Sequence, residues 1–297
     1  MPLLTLHELD NLTPLFRGKA GHALARSLMC LLSVDKMNAL YDRNSCLSGP
    51  PFARNVLMDL GVHYRVQSAF REGGFSFSDA ELEEGWLIRC GLACSSGVVP
   101  PFITISNHPY GGIDGVILAD LFGNQCPDYK LMVNKILSRV EALSPSFISV
   151  TPTGTSRTTP TSDSIIGIRR ALGQLRSGGA LGLFPSGAVS DFSLRSCSIR
   201  DREWQPAIVR LIAKAHVPVL PIRFFDRNSS FYYALGMIDW RVRLLRLPAE
   251  LFNKSHAPLR LGVGRVITVE EQQSYLAVHT VEEFGLWLRS KVYGMNF

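Results

Sequence analysis

A histidine and an aspartate lie close together in residues 105–115, a segment that reads ISNHPYGGIDG. Histidine, with an ordinary pKa of about 6.5, can accept a proton from a hydroxyl group near neutral pH, whereas a free alcohol is a weak nucleophile. A carboxylate beside the far ring nitrogen fixes the tautomer and stabilises the imidazolium as it forms. The segment therefore indicates that His108 is a general base and that Asp114 orients it.

The surrounding residues favour a tight loop between a strand and a helix. The apolar, β-branched run at 98–105 is typical of a buried strand, and residues 116–122 are typical of a helix. The small or rigid residues of the loop are Pro109, Gly111, Gly112 and Gly115. They allow a bend in which the two side chains turn back towards each other.

The same residues fit a second interpretation. His108 would then be an ordinary loop residue, and Asp114 would cap the following helix by accepting from backbone N–H groups. From the residues alone, both interpretations are equally supported.

The segment resembles the catalytic motif of the glycerolipid acyltransferase superfamily, which includes lysophosphatidate and glycerol-phosphate acyltransferases. The matching positions are Asn107, His108, Pro109, Gly111, Gly112, Asp114 and Gly115. Most members have four residues between the histidine and the aspartate. This chain has five, which is similar to a hemolysin-like bacterial branch that includes O-acyltransferases of glycine and ornithine lipids. The resemblance implies that His108 and Asp114 are catalytic and that Asn107, Gly111 and Gly112 bind substrate.

A second segment extends the resemblance. Residues 184–190, FPSGAVS, are similar to the superfamily's third block, commonly FPEGTRS, whose glutamate and arginine are associated with a phosphate-bearing acceptor. Ser186 and Val189 replace those two residues, and loss of the guanidinium removes the best bidentate phosphate ligand. We therefore expect a monoacylated lipid with a free hydroxyl as acceptor, such as a lyso-amino-acid lipid. The substrate-binding residues implied here are Phe184, Pro185, Ser186 and Gly187, together with Lys135.

The apolar segment 217–222, VPVLPI, resembles the fourth block, which in the family helps to form the acyl-donor pocket. Because its prolines cannot donate ladder hydrogen bonds, we expect this strand at an edge of the sheet or lining a cleft. The resemblance covers residues 108–269.

The order of strand and helix patterns predicts an α/β fold, with a largely parallel sheet flanked by helices. We expect residues 1–85 to be a helical segment that packs on the core or docks on a membrane, and residues 86–297 to be the acyltransferase domain. The predicted helices span 22–41, 53–61, 116–122 and 165–175, with another that begins at 201. The predicted strands span 62–69, 86–94, 98–105, 129–133, 147–150, 180–184 and 217–222, and 151–164 is expected to be an ordered loop across the site.

The composition excludes several classes of protein. The chain has 297 residues, of which 46% are apolar, and it contains no basic, aromatic-interleaved module of a nucleic-acid binder. Its six scattered cysteines are expected to be buried free thiols, and no ligand spacing indicates a metal site or a cofactor. A net charge of +6 suits an anionic membrane surface or an acidic acyl carrier protein. Since no run approaches the roughly 20 apolar residues of a spanning helix, we expect a cytoplasmic protein, peripheral on the inner face of the membrane.

Together these patterns predict an O-acyltransferase that moves a fatty acyl group from acyl carrier protein or coenzyme A to the hydroxyl of a lysolipid. The expected oxyanion donor is a backbone N–H near Gly187 or one of the basic residues Lys135, Arg139, Arg157 and Arg169. A 1-acyl-glycerol-3-phosphate acyltransferase is the nearest alternative. A serine lipid hydrolase would use Ser186 without a Gly-x-Ser-x-Gly elbow, and a non-catalytic, hemolysin-like membrane protein is a third interpretation.

Overall fold

The computed structural model describes residues 18–68, 92, 99–135, 137, 140–150, 162–194, 197–255 and 258–296. The strands of these segments are β1 (Tyr64–Ser68), β2 (Ile103–Ser106), β3 (Lys130–Asn134), β4 (Phe147–Val150), β5 (Leu181–Leu183), β6 (Asp191–Ser193), β7 (Ser198–Arg200), β8 (Val219–Phe224) and β9 (Leu259–Val263). Seven of them form a central sheet in the order β1-β9-β8-β2-β5-β3-β4, and β6 pairs with β7 in a separate hairpin. Within the central sheet, β8 and β9 are antiparallel, and the other neighbouring pairs are parallel. The predicted α/β fold with a largely parallel sheet is confirmed.

Helices cover both faces of this sheet. They are α1 (Gly18–Leu31), α2 (Val34–Asn44), α3 (Pro50–Asp59), α4 (Ile113–Gly123), α5 (Ser162–Arg176), α6 (Pro206–Ala215), α7 (Ser230–Ile238), α8 (Trp240–Leu245), α9 (Leu247–Phe252), α10 (Val269–Leu276) and α11 (Val281–Tyr293), with a 3₁₀ helix at Glu141–Ser146. In the described part of the chain, none of these helices is long and apolar enough to cross a bilayer.

Alternating side chains divide the core into two apolar clusters. On β3, Leu131 and Val133 belong to the cluster that includes buried residues of α2, α3 and α4. Met132, between them, belongs to the cluster that includes residues of α5, α6 and α11. Because successive strand residues point to opposite faces, each cluster marks one face of the sheet. The sheet is therefore buried on both faces, which is typical of parallel sheets.

The N-terminal helices differ from the single helix predicted at 22–41. The chain forms α1 and α2 instead, because Ser33 between them has a left-handed backbone with φ of 60° that interrupts the helical geometry. Pro50 and Pro51 begin α3, whose first turn tolerates the missing N–H groups, and Gly61 follows its end with φ of 63°. The strand predicted at 62–69 is confirmed as β1, which pairs with β9 in the central sheet.

Of the two positions predicted for the fourth block, an edge of the sheet or the lining of a cleft, the edge is not observed. β8 lies inside the sheet between β9 and β2, although its prolines favoured an edge. Pro221 is tolerated because regular pairing with β9 begins only at Ile222, so the missing N–H falls where the ladder is interrupted. Pro221 still contributes its carbonyl oxygen, which accepts from the backbone N–H of Gly264 at 2.8 Å.

Other predictions fall partly outside the described residues. The strand at 86–94 lies there apart from Leu92, and so do Arg139, Arg157 and residues 151–161 of the loop predicted at 151–164. The last three residues of that predicted loop instead begin α5. The domain boundary between residues 85 and 86 also lies there and stays a prediction. The expected burial of the cysteines was wrong for Cys30, Cys46 and Cys197, which are free and exposed because they lie on the outer side of α1 and in turns.

Candidate active site

The His108 loop leaves the carboxyl end of β2, at the centre of the sheet. β2 ends at Ser106, and α4 begins at Ile113, so the motif forms the connection between them. The neighbouring strands β5 and β8 run parallel to β2 and end at the same edge. Sites of parallel α/β sheets open at this edge. The third block, which follows β5, is therefore brought next to the His108 loop.

His108 and Asp114 are in direct contact. His108 Nδ1 lies 2.7 Å from Asp114 Oδ2, and the Asp114 side chain is completely buried. Asp114 is the second residue of α4, whose N-cap position is taken by Gly112, so the aspartate does not act as the N-cap. The contact leaves Nε2 as the ring nitrogen that can exchange a proton with a substrate.

Backbone N–H groups hold the Asp114 carboxylate in place. Oδ2 accepts from Tyr110 at 3.1 Å and from Gly111 at 3.3 Å, while Oδ1 accepts from Gly115 at 3.1 Å. Burial raises the pKa of Asp114, but the contact with His108 and these N–H groups outweigh it, so the carboxyl pKa lies below its usual range. Asp114 is thus a fixed negative charge beneath the imidazole.

The same pair sets the protonation of His108. Burial lowers the pKa of the imidazole, but the negative charges of Asp114 and Asp201 outweigh it, so the pKa of His108 lies above its ordinary value. The ring packs on Phe184, with centroids 4.1 Å apart and planes tilted by 31°. Its side chain retains 17% exposure, which leaves an edge for a substrate.

Asp201 is a second buried carboxylate at this loop, and the sequence did not indicate it. Its Oδ1 accepts from the backbone N–H of His108 at 3.1 Å and from the Ser190 hydroxyl at 2.6 Å. The Ser190 N–H in turn donates to the carbonyl of His108 at 2.8 Å. Burial raises the pKa of Asp201. Asp201 therefore ties the His108 backbone to the third block, and its ionised form raises the pKa of His108.

Asp201 was predicted to begin a helix, but α6 begins only at Pro206. The backbone N–H of Asp201 donates to the Tyr293 hydroxyl at 2.8 Å, and its carbonyl accepts from Arg289 at 2.6 Å. Both partners belong to α11. Contacts from the last helix of the described chain thus fix a residue beside the His108 loop, and no local pattern could have shown this.

The predicted substrate residue Asn107 is engaged with the neighbouring strand. Its amide nitrogen donates to the Phe224 carbonyl, and its side-chain oxygen accepts from the Phe224 N–H, both at 2.8 Å. The side chain is buried. These bonds attach the start of the loop to the end of β8, and contact of Asn107 with substrate stays a prediction.

The two glycines of the motif have different surroundings. Gly111 has φ of 84°, and a Cβ there would lie 2.7 Å from Val189 and 2.8 Å from Leu247. At Gly112, a Cβ would meet no atom within 4 Å. Gly111 is therefore required by the fold of the loop, whereas Gly112 borders open space into which a substrate can approach.

The third block forms the turn after β5. Pro185 accepts from the Gln205 N–H at 2.9 Å through its carbonyl, and a Cβ on Gly187, whose φ is 63°, would collide with the Gln205 side chain. Ser186 is buried, and its hydroxyl donates to the Ala188 carbonyl at 2.8 Å. Among the described residues, no hydrogen bond joins Ser186 to His108. The block supplies Phe184 to the imidazole and keeps Ser186 within its own turn.

Val189, which replaces the superfamily's arginine, is buried against Tyr232 and Tyr233 of α7. The guanidinium of Arg243, also buried, donates to the carbonyl oxygens of Val189 and Ser190 at 3.3 Å and lies 2.5 Å from Asp191. Arg243 was not indicated by the motif, because it reaches the block from α8.

Of the four basic residues expected at the site, the structure describes Lys135 and Arg169. Lys135 is exposed directly after β3, which β5 separates from β2, and Arg169 is exposed on α5. Arg139 and Arg157 lie outside the described residues. The role of any of them as oxyanion donor stays a prediction. In the described segments, no group of three or more His, Cys, Asp or Glu side chains could hold a metal ion.

A cavity of about 470 Å³ lies next to β8 and the segment that follows β9. His108 is not among its lining residues. Pro221 of the fourth block lines it, together with Trp287 and Met295. The expected contribution of the fourth block to a cleft is thus observed at Pro221, while its use for the acyl donor stays a prediction.

Comparisons with known proteins agree on one chemistry. The sequence model of the family described as "Acyltransferase" matches residues 58–296. The chain is 28% identical to a lyso-glycine lipid O-acyltransferase of Phocaeicola vulgatus over 198 residues, which cover 64% of this chain and 66% of that protein. It is 29% identical to a lyso-glycine lipid O-acyltransferase of Bacteroides thetaiotaomicron over 172 residues, which cover 55% and 59%. The matched region thus spans less than two thirds of each relative.

Proposed function

The chain belongs to the acyltransferase family, and on that premise we propose that it transfers a fatty acyl group from an acyl thioester to the hydroxyl of a lysolipid. The observation that carries the proposal is the contact of 2.7 Å between His108 and the buried Asp114 at the carboxyl end of β2. A neutral imidazole oriented by a fixed carboxylate can activate an alcohol directly.

The reaction needs no covalent enzyme intermediate. His108 Nε2 takes the proton of the acceptor hydroxyl as its oxygen attacks the thioester carbonyl. The tetrahedral intermediate collapses as the new C–O bond remains and the C–S bond breaks, and the thiolate takes the proton from the imidazolium. Asp114 stabilises the imidazolium in both steps. The oxyanion requires a hydrogen-bond donor, for which a backbone N–H near Gly187 is our candidate.

For the acceptor, we propose a lyso-amino-acid lipid such as acylated glycine or ornithine. Two observations support it. Both relatives are named for lyso-glycine lipid, and the third block has Ser186 and Val189 where the superfamily pattern has charged residues. The alternative acceptor is 1-acyl-glycerol-3-phosphate, whose phosphate would need a cation that the block itself does not supply.

The test is acyl transfer by purified protein. Acylated glycine, acylated ornithine and lysophosphatidate are offered in detergent micelles, each with acyl carrier protein or coenzyme A as the thioester carrier. We expect a diacylated product from an amino-acid lipid and no turnover by His108→Ala protein. Preference for lysophosphatidate would contradict the proposed acceptor, and near-normal turnover by the His108→Ala protein would contradict the proposed mechanism.

Two other functions have distinct signatures. A serine hydrolase would release fatty acid without any acceptor and would lose this activity in Ser186→Ala. A non-catalytic membrane-active protein would make vesicles leak equally as wild type and as His108→Ala.

We propose that the enzyme works peripherally at the inner face of the cytoplasmic membrane, where both the thioester and the lipid acceptor are accessible.

A further inference from the structure

Helices α7 and α8 carry a concentration of exposed apolar side chains. On the two helices together, seven large apolar residues are exposed, including Ile238 at 81% and Trp240 at 51%. They are Phe231, Met237, Ile238, Trp240, Val242, Leu244 and Leu245, and we refer to them as the docking face. Leu194, directly after β6, is also exposed, and β6 contacts α7. Exposed apolar surface of this extent on neighbouring elements is typical of an interaction site.

The inner side of these helices supports the catalytic loop. Asn228, just before α7, donates from its side chain to the Tyr110 carbonyl at 3.2 Å. Arg243 of α8 donates to the third block, and Leu247 at the start of α9 packs beside Gly111. Whatever contacts the docking face is therefore separated from the His108 loop by one layer of helices.

The chemistry of the face fits a lipid bilayer. Aromatic rings such as Trp240 and Phe231 are favoured at the boundary between acyl chains and headgroups, and aliphatic side chains such as Ile238 enter the acyl region. Arg227 is exposed just before α7. Arg246 stacks on Phe231 with 5.4 Å between the guanidinium and the ring, but it is paired with Glu250 at 3.6 Å, so the attraction of anionic headgroups to the rim of this face rests on Arg227.

Other occupants fit less well. An acidic acyl carrier protein would be attracted chiefly by basic side chains, whereas the exposed side chains of this face are mainly apolar. A second copy of the chain would cover the face next to the loop that must admit a lipid. A bilayer instead brings the acceptor to that loop.

We propose that the docking face inserts into the headgroup region of a bilayer that contains anionic phospholipid, and so holds the His108 loop close to the membrane, with one layer of helices between them. The proposal rests on the proposed function for its purpose, since a lysolipid acceptor resides in the bilayer. It assigns membrane contact to α7 and α8 instead of to the N-terminal helices.

The test is flotation of the full chain with vesicles of phosphatidylcholine, with and without phosphatidylglycerol. The variant Ile238→Glu/Trp240→Glu places two charges on the docking face. The matched control Val278→Glu/Leu286→Glu places two charges on similarly exposed apolar positions, Val278 in the turn between α10 and α11 at 77% exposure and Leu286 on α11 at 64%. Circular dichroism and thermal unfolding establish that both variants are folded.

We expect wild type and control to float with the anionic vesicles and the docking-face variant to bind about tenfold more weakly or not at all. Equal flotation of the two variants would overturn the proposal. So would a wild-type oligomer that only the docking-face variant dissociates in lipid-free buffer, or a carrier-protein complex that only this variant loses.

Flotation needs no turnover, so it separates this proposal from the proposed function. The His108→Ala protein should float like wild type. Flotation without any acyl transfer would refute the function and leave the docking face standing. Acyl transfer to a micellar acceptor without flotation of the wild-type protein would support the function and refute the docking face.

Discussion

Asp114→Asn tests the central pair of the site with the smallest change of shape. Two unit charges 2.7 Å apart interact by roughly 6 kcal/mol at an effective dielectric constant of about 20. The imidazolium that forms during proton transfer loses this stabilisation when the carboxylate becomes a neutral amide. Since each factor of ten in rate corresponds to about 1.4 kcal/mol, we expect kcat/KM to fall by roughly four orders of magnitude.

The cost to folding can be derived from the contacts of the carboxylate. The amide oxygen can replace Oδ2, still accept from Tyr110 and Gly111 and remain beside His108 Nδ1, but the NH₂ group then faces the N–H of Gly115. In the other orientation, the NH₂ group faces two backbone donors. The first orientation loses one buried hydrogen bond, so the free energy of unfolding should fall by about 1–3 kcal/mol.

The assay is thiol release with a micellar lysolipid, measured as kcat/KM against pH. The base must be neutral, so the wild-type rate rises with pH through the pKa of His108, which Asp114 holds above its ordinary value. Without the carboxylate, burial still lowers that pKa, so the rise should move to lower pH. Asp120→Asn is the matched control, because Asp120 is buried on the same helix but contacts Arg54 and Tyr64. Activity within tenfold of wild type, or a rise at unchanged or higher pH, would refute the reasoning.

Three further predictions concern the His108 loop and the residues around it. Asp201→Asn should lower the pH at which kcat/KM rises, by less than Asp114→Asn, because Asp201 raises the pKa of His108 from the backbone side; an unchanged pH profile would leave it with a purely structural role. Ser186→Ala should retain acyl transfer within about tenfold, since the hydroxyl bonds to Ala188, and loss of turnover would indicate a nucleophile. Gly111→Ala should lower the free energy of unfolding by at least about 1–2 kcal/mol, because Gly111 has a left-handed φ. Gly112 borders open space, so the Gly112→Ala protein should unfold like wild type in a denaturant titration.

The part of the site that lies within one loop could be predicted from the sequence. The strand before His108, the helix after it and the bend between them follow from residue types, and the structure brings His108 and Asp114 into contact. Local patterns suffice here because strand, turn and helix signals depend on neighbours in the chain. The alternation of strands and helices likewise predicted the parallel sheet.

The remainder depends on contacts between distant parts of the chain. Asp201 is 93 residues from His108 in sequence, and its position is fixed by α11. β8 lies inside the sheet because β9 pairs with it from Ile222 onwards, after Pro221. No property of the β8 segment itself reveals this pairing. The left-handed backbone at Ser33 divides a continuous apolar pattern into α1 and α2 without a glycine or proline to indicate it.

The replacement of arginine by Val189 has a structural counterpart that bears on the acceptor. Val189 packs into the apolar cluster with Tyr232 and Tyr233, so a charged residue at this position would face the underside of α7. The buried guanidinium of Arg243 contacts the same block, but it is paired with Asp191 and occupied by the carbonyl oxygens of Val189 and Ser190. A cation held in this way is neutralised and has few donors left for a phosphate. Position 189 and its surroundings therefore favour an acceptor without a phosphate group, and Val189→Arg should destabilise the fold before it could restore phosphate recognition.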